Sequence, residues 1–363
     1  MNCSEKSLFT FCEQVFTKMG FSHEDAWQAS DILIRAELRG IHTHGLVRLP
    51  EYVKLWKKGK INTRPEIRII NETPSTMLID ADGSLGLVVA PKAMQKAIDK
   101  AVEVGTGWVA VRNSKHFGIA GYYAMMALER EMIGITMTNS QPLVAPTFSL
   151  RLLIGTNPIA VAIPAGTEPP FVADFATSSI ARGKLDDLSE KGKDVPEGLV
   201  QDKYGAPSTR PDILTDGGAI LPLGGDREHS SHKGYCLSAI VDIMSAVLSG
   251  ANFGPAVVPS LEYIKSTGKD EDKGMGHFFG AMRIDAFQTA EEFKSQMDQW
   301  IRTFRNAEPV IGQERVIIPG DPEREAELKY LKTGIPISDK QLSIYKRLGE
   351  EMGGITFNCK PVH

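Results

Sequence analysis

The sequence predicts an α/β protein, and three observations carry that prediction. Over residues 4–58, apolar side chains recur every three or four positions, the period of helices with one buried face. Between residues 75 and 138 the pattern becomes strand, helix, strand, loop, helix, strand, a βαβ-like rhythm. Short apolar runs at 159–163, 171–174 and 275–282 add further strands. With 363 residues, 42% of them hydrophobic, the chain can bury a large core and form two subdomains.

Taken in order, residues 4–19 form a helix on Phe9, Cys12, Val15, Phe16 and Met19, ended by Gly20. Ser22 caps a second helix, with Asp25 three residues on. Its stripe of Ala26, Ala29, Leu33 and Ala36 is narrow and suits close helix packing, and Gly40 stops it. A third helix runs to about Lys58, with Pro50 tolerable only in its first turn. The basic run at 57–60 reads as a solvated helix end. Residues 66–71 alternate like a strand, as do 75–80, with a turn at 80–83. A helix is expected over 90–104, with Ala93, Ala97, Ala101 and Val104 on one face. A buried strand follows at 106–112, a helix at 120–131 and a strand at 133–138. Residues 186–222, rich in Gly, Pro, Asp and Lys, read as an extended surface excursion of the same domain. An apolar helix is expected over 235–248 and an amphipathic one over 289–305, opened by Thr289 and Glu292 at capping-box spacing. A strand at 316–321 and a helix over 339–352 complete the chain.

Composition argues against several classes. Lys and Arg number 41 against 45 Asp and Glu, so no basic excess offers a nucleic-acid surface. No apolar run approaches the ~20 residues of a membrane span. The first residues carry no apolar stretch behind basic ones, so no secretory signal is expected. Cys3, Cys12, Cys236 and Cys359 are scattered, with no CxxC pair. That predicts a reducing, cytoplasmic compartment and no disulfide framework.

The stretch from Arg39 to Tyr52 concentrates chemistry. His44, Arg48 and Tyr52 fall at i, i+4 and i+8, so a helix from about Gly45 would present all three on one side. Arg forks onto a carboxylate, and His passes protons near neutral pH. Together they suit a hydroxy or keto acid; the alternative is a capped helix start with solvated polar groups. No GxGxxG, P-loop, GxSxG or HExxH motif is present. What remains is polar residues at strand ends. His116 lies between a strand and a helix start able to hold an anion, or is an ordinary loop histidine. Asp174 is placed to accept from a ribose hydroxyl or to cap a helix. Thr156 and Asn157 suit a carboxamide or carboxylate, or simply a turn. His232 and Lys233 precede a helix, where Lys meets a phosphate or only water. A rival reading takes His42, His44, His229 and His232 as zinc ligands of a metal-dependent hydrolase. A non-enzymatic binding module is a third reading, which the density of polar groups at strand ends argues against.

Several blocks carry a further likeness: Gly40-Ile-His-Thr-His-Gly-Leu-Val-Arg-Leu-Pro, Asn113-Ser-Lys-His-Phe-Gly-Ile-Ala-Gly-Tyr-Tyr, Gly155-Thr-Asn-Pro, Asp174-Phe-Ala-Thr-Ser-Ser-Ile-Ala-Arg-Gly-Lys, His232-Lys-Gly-Tyr and Ile318-Pro-Gly-Asp-Pro-Glu. In that order, and over essentially the whole length, the chain resembles the malate/L-lactate dehydrogenase family, which includes sulfolactate, ureidoglycolate and 2,3-diketogulonate oxidoreductases. The resemblance implies an NAD- or NADP-dependent oxidoreductase without metal. It implies a non-Rossmann, nucleotide-binding mixed sheet with a helical subdomain from both chain ends, like L-sulfolactate dehydrogenase. On that likeness, residues 1–75 form a helical substrate and dimer segment and 76–285 the cofactor-binding α/β domain. Residues 286–363 return to the N-terminal subdomain and complete the cofactor site. A homodimer with active sites near the subunit interface is implied.

By motif, His44 and Arg48 match the family's acid/base and carboxylate positions, and His116 a second histidine taken as proton acceptor in some members. Ser140, Asp174, Phe175, Ala176, Lys233 and the turn Gly320, Asp321, Pro322 match cofactor positions; His232 beside Lys233 is grouped with them, and His116 is counted there too. Thr43 stands where many relatives have Ser, keeping the hydroxyl. Lys184 stands where an imine-reducing branch carries Asp, which favours hydroxy acids. The expected chemistry is hydride transfer at C2 of a 2-hydroxy acid, malate first, then lactate or ureidoglycolate. Arg48 clamps the carboxylate, His44 or His116 takes the hydroxyl proton, and Thr43, Tyr52 and Thr156 orient the substrate.

Overall fold

Helix ends set where the polar loops fall. The structure, a computed structural model, describes residues 1–257 and 272–361. β1 (Asn2–Cys3) leads into α1 (Glu5–Met19), which stops at Gly20, and Ser22 caps α2 (His23–Leu38) by accepting from the Asp25 N–H. Ala26, Ala29, Leu33 and Ala36 are fully buried, as the small-residue stripe predicts. α3 (Leu49–Lys57) carries Pro50 in its first turn, where the missing N–H costs nothing.

The sheet follows. β2 (Arg68–Glu72) and β3 (Thr76–Asp80) are antiparallel neighbours. β2 is exposed along its whole length, so its alternation does not mark a buried face; it is an edge strand. α4 (Gly86–Val104) begins four residues before the expected start, and Val104 at its end is half exposed rather than on the buried face. β4 (Thr106–Ser114) is parallel to β3, the signature of a βαβ unit. α5 (Ala120–Met126) tightens into a 3₁₀ turn over Ala127–Arg130 before β5 (Met132–Thr138). β6 (Ile159–Ile163) and β7 (Phe171–Phe175) continue the sheet.

Residues 186–222 are more than a surface excursion. They hold the end of α6 (Arg182–Glu190) and a small antiparallel sheet of β8 (Val200–Gln201), β9 (Pro207–Ser208) and β10 (Ala219–Ile220). Val144, Ile154, Leu185, Val195, Val200, Ile213 and Ile220 form its own buried cluster. These side chains are too irregularly spaced to give a sequence period. α7 (Ser231–Asp242) also starts before its expected position and passes into a π turn over Ile243–Val247.

β11 (Met275–Arg283) then inserts between β4 and β5, antiparallel to both. The result is a mixed seven-stranded sheet in the order β2-β3-β4-β11-β5-β6-β7. α4 and α5 cover one face, and the turn after α7 packs on the other.

The C-terminal elements return to the N-terminal helices. α8 (Ala290–Arg305) is capped by Thr289 as its spacing predicts. The strand expected at 316–321 does not form. Asp321 turns back instead and accepts the Ile318 N–H, opening α9 (Asp321–Thr333), which the apolar pattern did not announce. On α9, Glu327 meets Arg35 of α2 and Arg39 just past its end. β12 (Ile335–Pro336) pairs with β1, and Tyr345 and Leu348 of α10 (Asp339–Glu351) join the core around Phe11. Cys3 and Cys359 form a disulfide, which overturns the expectation of no disulfide framework. Their 356-residue separation hides a pairing that the fold makes by bringing the chain ends together. No helix among the described residues is long and apolar enough to cross a membrane.

Candidate active site

Strand direction gathers the polar loops. β3, β4, β5 and β7 run one way, β6 and β11 the other. Ser114 sits opposite Met275, Thr138 opposite His277, and Ile159 opposite Met137 and Phe175. The C-terminal ends of β4, β5 and β7 therefore share one edge with the beginnings of β6 and β11. The loops bearing His116, Ser140 and Thr156 meet the sheet at this edge, and Asp174 lies at the end of β7 there, the side where α/β sheets bind ligands.

The loop after α2 brings a second group to that region. A continuous helix from Gly45 is not what forms. Two 3₁₀ turns, His42–His44 and Leu46–Arg48, precede α3, and Gly45 separates them. The cause lies beneath the loop, where buried Glu37 bonds His42 Nδ1 with one oxygen and accepts the Leu46 N–H at 2.8 Å with the other. Gly45 lies so close over this carboxylate that a Cβ there would sit 2.2 Å from Glu37 Oε1.

The broken helix still delivers the predicted side chains. Tyr52 Oη lies 2.6 Å from His116 Nδ1, and the His44 and His116 rings stack at 5.6 Å. Thr43 Oγ1 is 2.9 Å from His44 Nδ1, and Arg48 Nε donates to the Thr43 carbonyl at 2.7 Å. Arg48 Nη1 reaches only the exposed Glu51, at 3.3 Å. The methyl of Thr43 packs against Gly183 at the start of α6, where a Cβ would lie 2.3 Å from it. Lys184 pairs with Asp187 one turn on in α6.

Both imidazoles are held neutral. Burial, then the charge of Arg48, pushes His44 down to about 4. Burial likewise drives His116 well below the usual histidine range, with Arg48, His44 and His277 adding to it. The Gly118 N–H donates to His116 Nδ1 at 3.3 Å, so that nitrogen is an acceptor and the Tyr52 hydroxyl donates to it as well. Burial keeps the Tyr52 phenol protonated. Neutral His116 therefore carries its proton on Nε2.

A second group lies farther along the edge. Thr156 N donates to Ser140 Oγ at 3.0 Å, and Ser140 N donates to Asn157 Oδ1 at 3.0 Å. Thr177 N donates to the Thr156 carbonyl at 2.9 Å, which ties Phe175 and Ala176 beside it. Asp174 Oδ2 accepts the Gly121 N–H at 2.8 Å, leaving Oδ1 without a partner among the described residues. Burial raises Asp174 to about 6. The Gly320 turn lies against Val172 of β7, but the Asp321 carboxylate is taken up by Arg324, Arg305 and the Ile318 N–H. Pro322 lies in the first turn of α9. His232 and Lys233 lie inside the first turn of α7, His232 near Arg227 and Lys233 exposed.

Three participants escaped the sequence reading. Glu37 sits inside an apolar helical stretch, and its partners, a backbone N–H and an imidazole, leave no periodic mark. His277 lies in an apolar strand, bonded to Thr138 at 2.7 Å and Ser114 at 2.8 Å and stacked on Phe117. Gly183 becomes visible only once Thr43 is placed. Of the histidines in the zinc reading, His42 is bonded to Glu37 and His229 to Asp226. Among the described residues no group of three or more His, Cys, Asp or Glu is placed to hold a metal ion.

Residues 3–344 match the family model described as malate/L-lactate dehydrogenase. The chain is 44% identical to the malate dehydrogenase of Pyrococcus horikoshii over 95% of its own length and 94% of that protein. It is 40% identical to the L-sulfolactate dehydrogenase of Methanocaldococcus jannaschii over 93% and 94% of the two chains. The crystal structure of malate dehydrogenase from Entamoeba histolytica superposes with a TM-score of 0.90 at 37% identity, covering 97% of this chain and 98% of that one.

Proposed function

This chain belongs to the malate/L-lactate dehydrogenase family and is an oxidoreductase; from that premise we propose that it interconverts a small 2-hydroxy acid and its 2-keto acid with a nicotinamide cofactor, malate first. The observation that carries the reading is Arg48 standing beside two stacked imidazoles that burial holds neutral.

Arg48 binds the substrate carboxylate. Its bond to exposed Glu51 is weak and easily exchanged, and Nη2 has no partner among the described residues. His44 is the acid/base. With Nδ1–H donating to Thr43 Oγ1, its Nε2 lone pair accepts the C2 hydroxyl proton as the C2 hydrogen departs with its electron pair and the C=O bond forms. His116, with Nε2 already protonated and Nδ1 holding two donors, does not accept that proton. It donates to the substrate oxygen and orients it. The clamped carboxylate also cancels the Arg48 field that depresses His44, so binding raises the basicity of the group that must receive the proton.

The residues at the sheet edge fit a nicotinamide dinucleotide. Asp174 offers an unpartnered carboxylate oxygen to a sugar hydroxyl, and Lys233 in the first turn of α7 offers charge to a phosphate. Ser140 bonds Thr156, and Phe175 and Ala176 directly follow Asp174 in the chain. The bound nicotinamide supplies the two-electron acceptor for the hydride. We read the enzyme as a homodimer, supported by Ile240, Ile243, Val247 and Leu248, which stay about half exposed along α7 and its turn.

The test is absorbance at the reduced-nicotinamide band with oxaloacetate, pyruvate or sulfopyruvate and either NADH or NADPH. Oxidation that persists in chelator supports the reading and ranks substrate and cofactor together. No turnover with any pair would overturn the 2-hydroxy-acid reading, and activity lost to chelator would overturn the metal-free mechanism.

A further inference from the structure

We propose that Glu37 is a positioning residue for catalysis, setting the geometry of the loop that presents His44 and Arg48; this rests on the function read above. Its side chain is wholly inaccessible, and its two oxygens hold the two ends of the segment 42–46. Thr43 and His44 lie between those ends. The Thr43 hydroxyl bonds the His44 ring and its carbonyl receives Arg48 Nε. One carboxylate thus fixes, through a single peptide loop, the proton-transfer ring and the anion-binding fork. The close approach of Gly45 to Oε1 leaves the carboxylate no room to shift without moving the loop.

The surroundings explain why a carboxylate is tolerated there. Cys12 of α1 and Tyr345 of α10 face it from the core, and both are held in their neutral forms by burial and by its charge. Among the described residues, His42 is the cation-forming group bonded to it. The hydrogen bond to Glu37 raises its pKa above the usual histidine value, so the pair forms as an ion pair over a wider range of pH. A buried carboxylate left without such partners would cost several kcal/mol, so the loop and the acid hold each other in place.

The experiment compares E37Q, H42N and the double variant in the full chain. The side-chain amide of E37Q still accepts from the Leu46 N–H but turns a donor toward His42 Nδ1. In E37Q we expect kcat/KM for the keto acid to fall at least tenfold, through both kcat and KM. The side-chain carbonyl brought in by H42N can accept from that amide, so the double variant should recover part of the loss. Nitrogen-labelled imidazole spectra should show the His42 pKa falling and the His44 resonance shifting in E37Q, with or without turnover. If the dehydrogenase reading itself is wrong, no variant turns over keto acid but the His44 shift remains. Wild-type kcat/KM and an unmoved His44 signal in E37Q, with only a lower melting temperature, would overturn the proposal. Strictly additive losses in the double variant would overturn it too.

Discussion

The Tyr52 hydroxyl donates to Nδ1 of His116 across 2.6 Å, and the Gly118 amide donates to the same nitrogen. Two donors at one nitrogen lock the ring into the tautomer that carries its proton on Nε2. Tyr52→Phe removes one of them while keeping the buried ring in the core. His116 then becomes more basic and its tautomer rests on the longer Gly118 bond alone. We expect a loss of about 1 kcal/mol in stability and a roughly tenfold drop in kcat, with cofactor KM unchanged. Wild-type kcat in the Tyr52→Phe enzyme would show that this bond serves only the fold.

The two histidines predict distinct pH behaviour. In oxidation the base must be neutral, so the rate falls as pH drops through its pKa. For kcat/KM, which reports the free enzyme, the acid limb should lie near the depressed His44 value of about 4. For kcat, which reports the complex, the limb should move upward because the bound carboxylate cancels the Arg48 charge. His44→Asn should remove the limb; His116→Asn should lower kcat and keep it. A limb near 6.5 in kcat/KM, the ordinary histidine value of about 6.5, would refute the burial of His44.

Sequence pattern made the helices and the strand-end chemistry legible because both leave local marks. Ser22, Gly20 and Pro50 announce helix ends, and His44 and Tyr52 reach His116 although the single helix expected from Gly45 breaks into two 3₁₀ turns. What stayed hidden is non-local. Asp321 converts an apolar run into a turn by folding back on Ile318. The buried cluster of Leu185, Val195, Val200 and Ile213 assembles from irregular spacing. Glu37 organises the loop through groups that apolar periodicity does not record.

Arg48→Lys keeps the charge but loses the fork. A lysine can neither hold the Thr43 carbonyl through Nε nor offer two parallel donors to a carboxylate. We expect kcat/KM for the keto acid to fall about 10- to 1,000-fold, about 1.4–4 kcal/mol of transition-state binding. The loss should be shared between KM and kcat, because His44 also regains basicity only when the carboxylate sits close. Unchanged steady-state constants would refute the clamp.

Acid stability follows from the buried imidazoles. Burial holds His277 at about 3 and His44 at about 4, with His116 also well depressed. Between the ordinary histidine pKa of about 6.5 and those values, the unfolded chain binds protons that the folded one refuses. Their contribution is therefore present above about pH 6.5 and is lost as pH falls. Asp174, raised to about 6, acts in the opposite sense, gaining a proton in the fold first. Three depressed imidazoles stand against two raised carboxylates, Asp174 and Asp242, so the net stability should fall as pH drops from about 6.5 toward about 4. Denaturant melts across that range should show it, with a shallower slope in His277→Gln. Stability flat from about pH 6.5 to 4.5 would refute it.

The last prediction concerns the disulfide between Cys3 and Cys359. It ties the strand before α1 to the segment after α10, where the Ser4 N–H already donates to the Lys360 carbonyl at 2.7 Å and Phe357 packs edge-on to Phe11. Because it closes nearly the whole chain, it restricts the unfolded state over a very long loop, and its loss should cost about 2–4 kcal/mol. The loop over residues 42–46 is held by Glu37 and Gly45 rather than by this staple. Reductant, or Cys359→Ser, should therefore lower the melting temperature and hasten thermal inactivation while leaving kcat/KM at room temperature near wild type. Mass spectrometry of the non-reduced protein first confirms the bond. An unchanged melting temperature after full reduction would show that the surrounding hydrogen bonds and ring contacts alone hold the two ends.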